Sequence, residues 1–242
     1  MKTGSEAAGN SEAKILFLHH STGGLVWKGG LQELVEAGNP SLTITEQAFP
    51  KSEPYGWKNY PYDYWNIWVR NAGKPSYQEE PTLEEITDSY NVVMFKHCFP
   101  VSHVLPDTGN PDVSSERKSL ENYTLQYAAL KKKLHEFPDT KFIVWTSAAL
   151  VEEVTSEEEG KRSREFVDWV KGEWDTPGDN IFLWDFHALE TEGGLFLKNE
   201  FKNNPKDSHP NEAFSEMAAR CLTARIHSIL EGTGDRGCLT GK

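Results

Sequence analysis

The 242-residue chain has no run of eighteen or so consecutive apolar residues, so no stretch of it reads as a membrane-spanning helix. Its start, "MKTGSEAAGNSEA", lacks the apolar centre of a secretory leader and reads as a flexible tail over 1–13. A cytoplasmic location is the default expectation, although the same start suits a longer precursor whose leader has been removed. Cysteine is scarce: Cys98, Cys221 and Cys238 form no CxxC pair, which argues against both a disulfide framework and a thiolate zinc site. Positive charge is also short, with 25 Lys and Arg against 37 Asp and Glu and a net charge of -12. Nucleic acid and anionic membranes are therefore poor partners, because both demand clustered cations. No internal repeat, low-complexity tract or HExxH spacing is visible.

What is present is an alternation of short apolar runs with longer stretches of helical period. "KILFLHH" (14–20), "LTITEQ" (42–47), "NVVMFKH" (91–97), "KFIVWTS" (141–147) and "NIFLWDF" (180–186) are short and rich in β-branched or aromatic residues, as strands buried on both faces should be. Between and after them, Leu120, Tyr123, Tyr127, Leu130, Leu134 and Phe137 recur at three and four, as do Phe166, Trp169 and Val170, and Phe214, Met217, Cys221, Leu222, Ile226 and Ile229. A further helix is expected over about 25–37, stopped by Gly38. Strands and helices in this order predict one α/β domain over 14–231, followed by a C-terminal tail over 232–242. Its expected architecture is a three-layer α/β/α sandwich around a five-stranded parallel sheet of flavodoxin-like type. Functional groups in such folds gather at the carboxyl ends of the strands.

One segment breaks the pattern. Over about 49–81 the chain is dense in aromatics and proline and shows no sustained period, which reads as a long functional insertion on the rim of the sheet. Its Tyr55, Trp57, Tyr60, Tyr62, Tyr64, Trp65 and Trp68 suit either a satellite core or a groove for sugar rings or acyl groups. The acidic runs Glu79–Glu80 and Glu157–Glu159 read as solvated loops and helix starts.

The chemistry-bearing residues lie near the two chain ends. "HHSTGG" places Ser21 directly after the first strand, and "KDSHPN" places Asp207 and His209 ahead of the last helix, with Pro210 suited to its first turn and Asp207 or Ser208 to its cap. A serine hydroxyl needs a base, and the base needs a partner on its far nitrogen, so Ser21, His209 and Asp207 together have the composition of a nucleophile, general base and orienting acid. If Asp207 does not serve, Asp185 after the fifth strand is the next acid to test.

In this arrangement the chain resembles the SGNH (GDSL-like) hydrolases over about 14–230. In that family the serine follows the first strand in a Gly-Asp-Ser block, where "HHS" stands here, and an Asp-x-x-His block precedes the final helix. The chain departs from the pattern by placing Lys206 at the usual acid position and Asp207 one residue closer to His209. The resemblance implies a serine esterase of acyl-transfer mechanism, without a cofactor, with an oxyanion hole from the serine amide, a glycine after the second strand and an asparagine after the third. Gly56 is the candidate glycine. No asparagine follows the third strand, leaving Lys96, His97 or backbone amides as the expected donors. His20 is expected to support the turn around Ser21, and Trp57 and Trp65 to contact substrate. A small-molecule or glycan ester, first of all an acylated carbohydrate, is the expected substrate. Two other readings stand beside this one: a non-catalytic carbohydrate-binding protein on the same fold, and a metal-dependent hydrolase using His19, His20, His97, His103 and His209 with Asp207. For Ser21 taken alone, an ordinary helix cap is the competing role.

Overall fold

The computed structural model describes residues 13–58 and 60–242. The flexible tail expected over 1–13 lies outside the described residues except for Ala13, which opens the first strand. The chain runs through β1 (Ala13–His19) and α1 (Thr22–Val26), which continues through a wider turn (Trp27–Leu31) into α2 (Gln32–Gly38), then β2 (Leu42–Ala48). Next come α3 (Pro61–Trp65) with its extension Asn66–Arg70, a small hairpin of β3 (Ser76–Tyr77) and β4 (Glu80–Pro81), and α4 (Leu83–Ser89). The second half holds β5 (Val92–Phe95), α5 (Leu120–Leu134), β6 (Lys141–Trp145), α6 (Glu157–Trp169), β7 (Ile181–Trp184), α7 (Phe186–Thr191) and α8 (Glu212–Leu230).

The five long strands form one parallel sheet in the order β2-β1-β5-β6-β7. Alternate side chains of each strand serve opposite faces. Ile15 and Phe17 join a core with Val26, Met94, Trp145, Trp184, Phe214 and Ile226, under the helices that begin and end the chain. Leu16 and Leu18 join a second core with Val93, Phe95, Tyr64, Trp68, Tyr123 and Phe166. Apolar cover on both faces makes the three-layer α/β/α sandwich with a five-stranded parallel sheet. β2 differs from the expected doubly buried strand: it is an edge strand, and Thr43, Thr45 and Glu46 are exposed. Among the described residues no helix is long and apolar enough to cross a membrane.

The aromatic segment is more regular than its sequence suggests. α3 starts at Pro61, and Tyr60, Tyr64, Ile67 and Trp68 turn one face into the second core. Tyr62 and Trp65 on other faces hide that period from a reading of the sequence. Glu80 is also a correction, since it is fully buried and its Oε1 accepts the Lys51 amide at 2.6 Å, whereas Glu157 and Glu158 are exposed in the first turn of α6 as expected and Glu159 beside them is half-buried. Burial raises the Glu80 carboxyl to about 6. The residues after α8 lie against β7: the Asp185 amide donates to Leu239 O at 2.9 Å and the Trp184 indole to Thr240 O at 3.0 Å.

Candidate active site

The strand order reverses its direction of growth at β1, which has β2 on one side and β5 on the other, and Ser21 leaves the sheet at this carboxyl edge. Two features present it. Gly23 packs so closely on His19 that a Cβ there would fall 2.5 Å from the His19 Cβ, so α1 begins directly against the strand it follows. Ser21 itself has φ 49° and ψ -104°, a positive-φ geometry that costs a non-glycine residue about 1–3 kcal/mol and persists only where the surroundings impose it. Its side chain makes no capping bond to α1 and the residue is exposed. The cap reading is thereby replaced by another contact: Ser21 Oγ is hydrogen-bonded to His209 Nε2.

His209 is held from its other side by Asp207. One carboxylate oxygen, Oδ1, accepts both the His209 amide at 3.0 Å and the ring Nδ1–H at 2.5 Å. A carboxylate on Nδ1 fixes the tautomer whose Nε2 lone pair accepts from Ser21. Burial acts to raise the Asp207 carboxyl, but the two hydrogen bonds from His209 outweigh it and hold the group below its ordinary range. The edge of Phe99, in the loop after β5, meets the imidazole with ring centroids 5.1 Å apart. Ser208 fastens the segment by accepting the Val151 amide at 3.1 Å. Neither Asp207 nor Ser208 caps α8, a role that falls to Asn211, which accepts the Phe214 amide at 3.0 Å. Pro210 therefore precedes the helix rather than opening it. The neighbouring Lys206 is exposed, so the one-residue displacement brings the acid onto the imidazole.

The other candidates are placed differently. The His20 ring turns toward the loop after β2 rather than the turn around Ser21: its Nε2 contacts Pro50 O, and it stacks on Trp57 at 4.6 Å between centroids. Trp57 thus stands against the residue that precedes the serine, half-buried. Trp65 is buried in α3 against Tyr62 and Arg70, away from His20. Gly56 has φ 77° and lines a cavity of about 200 Å³ made by Tyr55, Lys58, Tyr62, Asp63 and Glu116, not by the serine and histidine. His97 is buried and its Nε2 bonds the Tyr127 hydroxyl at 2.8 Å, so it offers no donor at the serine. Lys96 is buried too, with Nζ 3.4 Å from the His20 carbonyl. Successive side chains point to opposite faces of the sheet, and because helices cover both faces, both of these are buried.

The histidines do not converge. His19 bonds Glu46 at 2.8 Å and His103 bonds Glu159 at 3.1 Å, and among the described residues no three His, Cys, Asp or Glu side chains form a group suited to a metal. Asp185 caps α7 and pairs with Lys171, and Thr146 donates to it at 3.0 Å, so it is engaged away from His209. Cys98 and Cys221 are buried and Cys238 is exposed, all three as free thiols. Phe99 and Pro50 are contributors that the sequence reading did not single out, and Ser208 entered it only as a cap candidate; of the first two, Phe99, an aromatic in the loop after β5, carried a visible signal. A cavity of about 290 Å³ is lined by Leu25, Lys28, Gly29, Pro210, Glu212 and Ser215, not by Ser21 or His209.

No protein-family description matches the chain, and no curated protein is similar to it. Solved structures are. A protein assigned as a GDSL-like lipase from Parabacteroides merdae superposes with TM-score 0.53 at 13% identity, covering 92% of this chain and 97% of that one. A gut microbial diltiazem-metabolizing enzyme superposes with TM-score 0.50 at 13% identity, covering 93% of this chain and 47% of that protein, so this chain spans about half its length. With its five-stranded parallel sheet and the helices on both faces, the chain shares the fold of these two proteins, one of them assigned as GDSL-like.

Proposed function

We propose that this protein is a serine esterase that hydrolyses a carboxylic ester through an acyl-enzyme on Ser21. The observation that carries the reading is the unbroken chain from an exposed serine in a strained backbone geometry, through His209 Nε2 and Nδ1, to the Asp207 carboxylate. In this reading Ser21 Oγ attacks the ester carbonyl as its proton passes to His209 Nε2, and the imidazolium so formed is stabilised by Asp207. The Ser21 amide meets the charge on the carbonyl oxygen. The same proton then leaves with the alcohol, and water repeats the sequence on the acyl-enzyme. The Trp57 ring stacked on His20 gives a flat apolar face for one arm of the ester. An aromatic face of this kind supports an acylated sugar as substrate.

A fluorophosphonate probe tests the reading, because it forms its phosphorus–oxygen bond only with a serine whose proton is being removed, fluoride leaving. One adduct per chain on Ser21 is expected by intact mass. Ser21→Gly should take none, and because glycine adopts this φ without strain its melting temperature should be unchanged or higher. An unlabelled wild-type protein that binds glycans tightly would establish the non-catalytic reading instead.

A further inference from the structure

A buried polar pair behind the nucleophile is unused by the reaction as described. Lys96, the first residue after β5, is 1% exposed, and Glu190 in α7 is fully buried. Glu190 Oε2 accepts the Ala149 amide at 2.6 Å, and its other oxygen has no hydrogen-bond partner among the described residues. The lysine and the carboxyl influence each other across the interior without forming a direct ion pair. Among the described residues the one acceptor at Lys96 Nζ is the His20 carbonyl, which also accepts the Gly23 amide at 2.9 Å.

That carbonyl belongs to the peptide plane whose other end is the Ser21 amide. In a trans peptide the C=O and N–H point in opposite directions within one plane, so a donor that holds the carbonyl from inside the protein fixes where the amide points. No hydrogen bond from the Ser21 amide is formed among the described residues, which leaves it available to a ligand. A carbonyl that accepts two donors also polarises its peptide, which strengthens the N–H at the far end.

We propose that Lys96 is a positioning residue of the site: by donating to the His20 carbonyl it aims the His20–Ser21 peptide, so that the Ser21 amide faces the oxyanion. This rests on the acyl-enzyme reading above. It also accounts for the residue at this place. The lysine stands just after the third long strand, where the chain has no asparagine, and acts on the oxyanion through the backbone rather than by contact. A lysine buried for packing alone would be a poor choice, since an apolar side chain of the same length fills the space without the cost of desolvating an amine.

The test is Lys96→Met in the full chain, read by the rate of fluorophosphonate labelling, by kcat and KM for p-nitrophenyl acetate, and by melting temperature. Labelling rate and kcat should each fall about ten- to a hundredfold, less than the full loss of an oxyanion donor. KM should stay within about twofold, and the melting temperature should hold or rise. Lys96→Gln keeps an N–H donor and should fall between, by about threefold or more; it carries the test if the methionine variant does not fold. Wild-type rates in either folded variant overturn the proposal, as does a lowered melting temperature with unchanged activity per folded molecule. If the wild-type protein itself takes no label, the acyl-enzyme reading fails, and this inference falls with it.

Discussion

Asp207 and His209 are only two residues apart, too close for an extended chain to bring a carboxylate onto the far side of the ring, and the turn between them solves the problem. Asp207 Oδ1 takes the His209 backbone amide as well as Nδ1–H, so one oxygen both shapes the turn and orients the base. The two tasks separate in Asp207→Asn. An amide oxygen can still accept the His209 N–H and keep the turn, but it brings no charge to an imidazolium and favours the wrong tautomer, an effect worth up to about ten-thousandfold in a comparable triad. Turnover should drop at least about a hundredfold, with a melting temperature within a few degrees of wild type. A drop of less than about tenfold would remove Asp207 from the reaction. Ser21, Asp207 and His209 were legible as a set because each sits beside an element boundary that the sequence marks. Lys96 and His97 were legible as residues near the site but not in their roles, because one residue of register at the end of a strand decides whether a side chain faces substrate or core.

At the scale of elements, the segment between β2 and α4 is split between a part packed in the core and a loop outside it. α3 and its extension carry Tyr64, Ile67 and Trp68 into the core, whereas Trp57 sits in the preceding loop against His20. Its period was hidden because a helix that is aromatic on several faces has little amphipathic contrast. Trp57 and Trp65 should therefore respond differently to truncation. Trp65→Ala removes a side chain only 8% exposed and should lower the melting temperature markedly, since losing a buried tryptophan typically costs about 3–5 kcal/mol, while KM per folded molecule is kept. Trp57→Ala should leave the melting temperature nearly unchanged and raise KM about fivefold or more for an acylated sugar, with a smaller effect on p-nitrophenyl acetate. Steady-state kinetics and thermal melts on the two variants decide this; matching losses of stability in both would assign Trp57 to the core as well.

The whole molecule carries its charge in an uneven way that its net charge of -12 does not reveal, and which only burial shows. The five strands and the two-faced core follow from local apolar patterns, so the architecture was readable. Which titratable groups end up inside was not, since Glu190 and His187 belong to a short helix, α7, that no periodicity announces. Burial lowers His19 to about 3, His97 to about 3 and His187 to about 4, and raises Glu190 to about 8. The signs oppose each other. A buried neutral histidine gains a proton on unfolding below pH 6.5, so its stabilisation is present above that pH and is lost as pH falls toward its folded value. Glu190 keeps its proton in the folded chain up to about 8 but releases it near 4.5 when unfolded, so its contribution is present at low pH and is lost as pH rises through that window. Glu80 and Asp175, both raised to about 6, add to the second effect only below that pH. Between pH 6.5 and 8 each of these histidines still adds about 0.4 kcal/mol as the unfolded chain loses its last imidazolium protons, whereas Glu190 removes about 1.5 kcal/mol, so the two effects partly cancel in wild type. Denaturant unfolding of wild type and Glu190→Gln at pH 6.5 and 8 separates them: wild type should lose about 1.5 kcal/mol relative to the variant over this range, because the glutamine amide still accepts the Ala149 N–H and has no proton to release. A difference between the two proteins that does not change with pH would place the titrating group elsewhere.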